Sequence, residues 1–158
     1  MSALLERFND VQYTLLQRIR DREAFEVAAR EGTAPDFSQF HGKHQALIVT
    51  FKRSGEPIPT VVNFGLDGEG RLYFRSERRV PKIRRIETDP HVRVCACNFR
   101  GKPTGAVAEG RARVLTGDEE KHAYDAIAAN WGRGSRPYEK LADRHLEWHG
   151  AYVEVIPA

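Results

Sequence analysis

Between Arg71 and Lys102 the chain carries ten basic side chains, Arg71, Arg75, Arg78, Arg79, Lys82, Arg84, Arg85, Arg93, Arg100 and Lys102, against three acidic ones, Glu77, Glu87 and Asp89. The whole chain has a net charge of only +3, so the rest of it is acidic on balance. Cations gathered on a turn at a helix start suit a phosphate, because backbone N–H groups, the positive end of the helix dipole and charged side chains converge there. A solvated basic face is the plainer reading of the same run. Binding along a nucleic acid would call for aromatic rings interleaved with the cations, and only Tyr73, Phe74 and Phe99 occur in the stretch. An anionic small molecule therefore fits the charge better than a polymer.

Other chemistry-bearing residues form weaker patterns. His145 and His149 are four apart and would share a helix face, a spacing that lets two imidazoles meet one metal, but no third ligand stands near them in sequence. His41 and His44 form a similar pair before the first strand, and either is a candidate proton donor. Cys95 and Cys97 alternate within a strand and point to one face, a poor geometry for bridging each other, so both read as reduced, core-facing thiols. No H-E-x-x-H, C-x-x-C, Walker or G-x-G-x-x-G motif is present, and Ser38, Ser54, Ser76 and Ser135 lack the surroundings of a nucleophile elbow. These absences argue against zinc proteases, zinc ribbons, P-loop enzymes, Rossmann enzymes and nucleophilic hydrolases. No catalytic residue is assigned from the sequence.

The elements that must position the basic turn follow from periodicity. Residues from about Leu4 to Arg30 have helical spacing, with Gly32 as a stop signal. Ala46–Phe51, Thr60–Leu66 and Arg71–Arg75 read as a meander of strands joined at Gly55 and at Asp67-Gly68 with Gly70. Pro81 suits the first position of a short helix, KIRRIET, which stops at Asp89-Pro90 because the residue before proline is pushed out of helical geometry. Strands are predicted at Val92–Phe99, Ala106–Leu115 and Tyr152–Ile156, with helices from Thr116 or Asp118 to about Trp131 and from Tyr138 to about His149. Residues 1–40 read as an N-terminal helical extension, and residues 41–158 as one mainly β domain, a small barrel of about six antiparallel strands with flanking and C-terminal helices. At 158 residues one domain buries an adequate core without disulfides or metals. The start lacks the order of a signal peptide and no apolar run approaches the ~20 residues of a membrane span, so a cytoplasmic protein is expected.

The run LIVTFKRSGEPIPTVVNFGLDGEGRLYFRS, followed by Lys82 seven residues before Asp89-Pro90, resembles the pyridoxamine-phosphate-oxidase-like flavin and deazaflavin enzymes. It looks most like the branch that uses the deazaflavin coenzyme F420. The resemblance covers about Lys43 to Leu115 and rests on order and spacing rather than on one diagnostic motif. It implies a split β-barrel, a homodimer with cofactor bound across the subunit interface, and an oxidoreductase acting on a small conjugated or aromatic substrate. FMN is the alternative cofactor, and non-catalytic flavin, deazaflavin or haem binding is the alternative function.

By that resemblance Lys82 meets the cofactor phosphate, and Arg75 and Ser76 lie beside it. Thr60, Val61 and Asn63 line the ring or its ribityl side. One departure bears on the cofactor: flavin oxidases of this kind have Ser-Arg directly before the lysine, where this chain has Val80 and Pro81. Arg78 and Arg79 then become the nearest sources of a second phosphate cation, and the balance moves from FMN toward a deazaflavin. Neither a nucleic acid nor a membrane is expected as a partner.

Overall fold

A computed structural model of the chain describes residues 22–131 and 150–158. It contains α1 (Arg22–Ala28), a 3-10 turn (Ser38–Phe40), β1 (Gln45–Phe51), β2 (Pro57–Leu66), β3 (Leu72–Glu77), α2 (Pro81–Thr88), β4 (His91–Cys97), β5 (Ala108–Val114), α3 (Glu119–Trp131) and β6 (Gly150–Pro157). The six strands close into an antiparallel barrel in the order β1-β2-β3-β6-β5-β4. The expected mainly β split barrel of six antiparallel strands is what forms, and each predicted strand within the described residues is present with ends moved by a few residues. The predicted helix at 138–149, with His145 and His149, and the part of the first helix before residue 22 lie outside the described residues.

The strand alternation sorts side chains into an interior and two covered outer faces. Ile48, Val62, Phe64, Leu72, Phe74, Val92, Val94, Val153 and Val155 fill the barrel. Space for them comes from β5, whose inward positions are Ala108, Gly110 and Ala112. Phe37 and Phe40 join the same core, and Ala34 bridges Ala108, so the chain is tied to the barrel ahead of β1.

The first outer face, made by Leu47, Cys95, Cys97 and Val107, is covered by Ala24 and Val27 of α1. The two thiols do share a face, as their spacing predicts, but they sit beneath α1 rather than in the barrel interior. The second outer face, made by Tyr73, Leu115 and Tyr152, is covered by Ala123 and Ile127 of α3. Glu119, the first residue of α3, is held by two hydrogen bonds from the Arg113 guanidinium. Gly32 has a different role from the stop signal expected of it. A Cβ there would lie 2.6 Å from the Glu109 backbone nitrogen, so glycine lets the chain press against β5 while its N–H donates to Glu109 Oε1 at 2.8 Å.

Turn chemistry sets the β2–β3 hairpin. Asp67 Oδ1 accepts from the backbone N–H groups of Glu69 at 2.9 Å and Arg71 at 3.0 Å, and Gly70 takes the positive φ of 76° that closes the turn. Between β3 and β4, Pro81 occupies the first turn of α2, and its Ile83 and Ile86 insert into the barrel core. α2 thus plugs the barrel. No helix among the described residues is long and apolar enough to cross a membrane.

Candidate functional site

The ladder between β2 and β3 covers only Phe64–Leu66 against Leu72–Phe74. Beyond it β2 remains paired with β1 as far as Pro57, whereas β3 remains paired with β6 as far as Glu77. The barrel wall therefore divides at this point. Asn63 stands on one side of the division and Arg75 on the other, each one residue past the last shared pair, and the basic turn and the start of α2 follow directly from the β3 side.

Lys82 is the second residue of α2 and is only 5% exposed. Its stem lies inward and its ammonium stands 5.4 Å from the centroid of the Phe74 ring, a cation–π contact. Val80, the residue before the helix, is extended and makes no side-chain cap, and Pro81 brings no N–H. Arg85 fastens the other end of α2 by donating from Nη1 to Thr50 Oγ1 at 3.2 Å. Arg78 and Arg79 are exposed in the turn, while Arg75 and Ser76 are half-buried at the end of β3.

The structure groups the residues singled out in the sequence unevenly. Arg75, Ser76, Arg78, Arg79 and Lys82 lie along one strand end, turn and helix start, and Asn63 faces that end across the division. Thr60 points the other way from Val61 and Asn63. Its hydroxyl is buried and donates to the Ile48 carbonyl at 3.2 Å, whereas Val61 packs among the outer residues beneath α1. Asn63 is exposed, and its Oδ1 accepts from Gln45 Nε2 at 3.5 Å. His41 lines a shallow hollow with Phe40, Leu66, Ala126 and Asn130. The carbonyl of His44 accepts from the Phe64 N–H. Among the described residues no three His, Cys, Asp or Glu side chains are grouped to hold a metal ion.

Two further groups beside this region escape sequence reading. On the outer face of β3, Tyr73 places its hydroxyl 2.9 Å from Asp67 Oδ2 and 3.2 Å from Glu154 Oε2, two carboxylates for one phenolic proton. Burial, reinforced by the Asp67 carboxylate, pushes the Tyr73 hydroxyl well above its ordinary range. Burial acts against the charge of Asp67, yet hydrogen bonds from the Arg71 backbone and side chain, His122 and Tyr73 outweigh it and hold the acid well below the usual carboxylate range. His122 reaches Asp67 from α3, and Arg113 joins Glu154 to Glu119 of the same helix. The second group is Tyr152 of β6, the register partner of Arg75, which is buried with Tyr73 and Leu115 beneath α3. An aspartate in a turn and a tyrosine in a short strand carry no local signal of these partnerships, because β6 is brought to β3 only by barrel closure.

A six-stranded split barrel with a cationic turn at the parting of two strands defines the class: this is the pyridoxamine-phosphate-oxidase-like fold. The family model for pyridoxamine 5'-phosphate oxidase matches residues 35–150, and the chain belongs to that family. Solved structures agree in fold. A protein of unknown function from Agrobacterium tumefaciens is 25% identical with a TM-score of 0.58, and the alignment covers 86% of this chain and 54% of that one, so this chain spans about half its length. A conserved hypothetical protein from Mycobacterium tuberculosis is 14% identical with a TM-score of 0.59, over 81% of this chain and 86% of that one. The heme storage protein HutZ from Vibrio cholerae is 14% identical with a TM-score of 0.55, over 78% of this chain and 91% of that one. No curated protein matches the chain in sequence.

Proposed function

We propose that this chain binds a phosphorylated flavin-type cofactor, the deazaflavin coenzyme F420 ahead of FMN, and works as an oxidoreductase that passes hydride to a small conjugated or aromatic substrate. The observation that carries the reading is the position of Lys82 and the basic turn: a lysine at the uncapped start of α2, with Arg75, Arg78 and Arg79 leading into it, where β2 and β3 part. Such a place brings several cations together at a helix start, which suits a phosphate. The preference for the deazaflavin rests on Val80 and Pro81, which bring neither hydroxyl nor cation to the positions before Lys82.

The bound cofactor would supply the hydride from its ring. The protein's own residues would hold it. Lys82 and the arginines anchor the phosphate end and Asn63 offers an amide across the division, so that donor and acceptor meet at reacting distance. No protein nucleophile is needed. By the same reading the cofactor lies between two subunits of a homodimer.

The test is equilibrium binding of the purified chain to coenzyme F420, FMN and haem, followed by fluorescence quenching or absorbance, for the wild type, Lys82→Ala and Lys82→Met. Methionine keeps a stem over Phe74 and removes the charge. Losing a charge-assisted phosphate contact costs about 1.5–3 kcal/mol, so both variants are expected to bind on the order of tenfold or more weakly. Unchanged affinity in Lys82→Met removes the lysine from the site. Tight haem binding with no flavin or deazaflavin binding replaces the oxidoreductase reading with a haem-binding one.

A further inference from the structure

The two thiols of the chain, Cys95 and Cys97, take no part in the cofactor reading, yet they form part of the seat on which α1 rests. Ala24 and Val27 press on them together with Leu47 and Val107. The chain is fastened unequally on either side of residues 29–31, which are exposed. After them, Gly32 donates to Glu109 at 2.8 Å, and Thr33 and Ala34 both donate to the Val107 carbonyl, at 2.7 and 2.9 Å. Before them, α1 is a helix of seven residues that meets the seat through the small side chains of Ala24 and Val27, while Arg93 Nη1 donates to the Ala28 carbonyl at 3.3 Å. Glu23 and Lys102 add an exposed ion pair at 3.9 Å, which water screens. A short helix with a small apolar footing and an exposed connection is the kind of element that opens locally, so α1 can lift about residues 29–31 while the strap at 32–34 and the barrel stay paired.

The two thiols are not equivalent. Cys95 donates its S–H to the Gly105 carbonyl at 3.0 Å. Cys97 lies at the rim of the covered face: it pairs with half-buried Gln45, which pairs in turn with exposed Asn63, and the exposed turn residues Phe99 and Arg100 follow it. Burial pushes the Cys97 thiol up to about 12, so with α1 seated it is both covered and neutral. Lifting α1 removes the cover and returns the thiol to its ordinary, reactive range.

We propose that Cys97 is a thiol–disulfide exchange site gated by α1: it reacts with a low-molecular-weight disulfide when α1 lifts, and the adduct then keeps α1 from reseating. The Cys97 thiolate, its proton given to solvent, attacks one sulfur of the disulfide. A new S–S bond forms, the S–S bond of the reagent breaks, and its other half leaves as a thiolate, so Cys97 is oxidised and the leaving half reduced. Cys95 does not resolve the adduct, because two same-face positions of one strand are poorly placed to bridge. The mixed disulfide therefore persists until an external thiol reverses it, and its added bulk fills a seat shaped for Ala24 and Val27. This gate is independent of which cofactor the barrel binds.

The experiment treats the full chain with the aromatic disulfide DTNB and follows release of its coloured thiolate, in urea concentrations below the unfolding transition, for wild type, Cys95→Ser, Cys97→Ser and Val27→Ala. Cys95→Ser is expected to react like the wild type, and Cys97→Ser about tenfold or more slowly. The logarithm of the wild-type rate is expected to change with urea by less than about a third of the slope of global unfolding, the mark of a local opening. Val27→Ala, which thins the cover, is expected to accelerate the reaction on the order of tenfold without steepening that slope. Hydrogen exchange over residues 22–31 of Cys95→Ser is expected to lose its protection in the adduct and to regain it with dithiothreitol. A wild-type slope equal to that of global unfolding overturns the gate, and this measurement needs no variant to fold. Reaction at Cys95 in place of Cys97, or α1 protection unchanged in the adduct, overturns the proposal as well.

Discussion

Gly65 is where α3 meets the barrel, and replacing it with alanine gives a demanding test of how the outer layer is built. A Cβ at this position would lie 2.2 Å from the Ala126 carbonyl oxygen, 2.3 Å from its carbon and 2.5 Å from the Ile127 nitrogen. All three are helix backbone, so no side chain can swing aside, and α3 has to retreat by about 1 Å to restore ordinary contact. Overpacking of this kind costs about 1–3 kcal/mol. The retreat also strains the two bonds that Asn130 Nδ2 donates across the same seam, to the Lys43 carbonyl at 2.9 Å and the Phe64 carbonyl at 2.7 Å, each worth about 1 kcal/mol. The expected loss is about 3–5 kcal/mol, a fall in melting temperature on the order of 10 °C for a domain of this size. The assay is thermal unfolding by circular dichroism, with Gly68→Ala as the control, since a Cβ at Gly68 meets nothing within 4 Å. If Gly65→Ala melts with Gly68→Ala, α3 is not seated against β2 as described.

The Asp67 carboxylate contributes stability that is present above its ordinary value of 3.8 and is lost as the pH falls through its lower folded-state value. Asp67→Asn is therefore expected to lower stability at neutral pH and to flatten its decline in acid; an unchanged acid limb in chemical denaturation would contradict the sign. A homodimer is expected in a light-scattering dilution series, and a strict monomer that binds cofactor at full strength would refute a shared site. Cofactor affinity is expected to depend weakly on salt, because ring burial supplies part of it. Sub-micromolar nucleic-acid binding with a log–log salt slope of about −0.7 to −0.9 per phosphate, alongside no cofactor binding, would turn the basic turn into a polymer site.

The strands and α2 were legible because their signals are local. Alternation marked a strand at Ala106–Leu115, found at Ala108–Val114, the Asp67–Gly70 turn closed its hairpin, and Pro81 with Asp89-Pro90 bounded a helix of the expected extent. What sequence could not supply is the outcome of closure. Pairing of β3 with β6 brings Tyr152 to Arg75 and Glu154 to Tyr73, residues far apart in the chain with nothing nearby to announce a partner. Periodicity also reports that Cys95 and Cys97 share a face without saying which side of the wall that face lies on. The same limit applies to Thr60 and Val61: the alternation separates them, while a motif read as a string places them together. Gly32 and Gly65 show a further gap, since a glycine that stops a helix and one that admits a neighbouring backbone are identical in a sequence.

The position of β6 in the strand order governs how the barrel comes into being during synthesis. β1, β2 and β3 pair through short hairpins, β4 can join β1 and β5 can join β4 soon afterward, but β6 is zipped between β3 and β5 and, among the described strands, is the one that seals the circle. Until it has left the ribosome, the nascent chain presents an unsealed sheet with two bare edges and an apolar concave surface. That interval is when the polypeptide is most open to pairing with a neighbour or to capture by a chaperone.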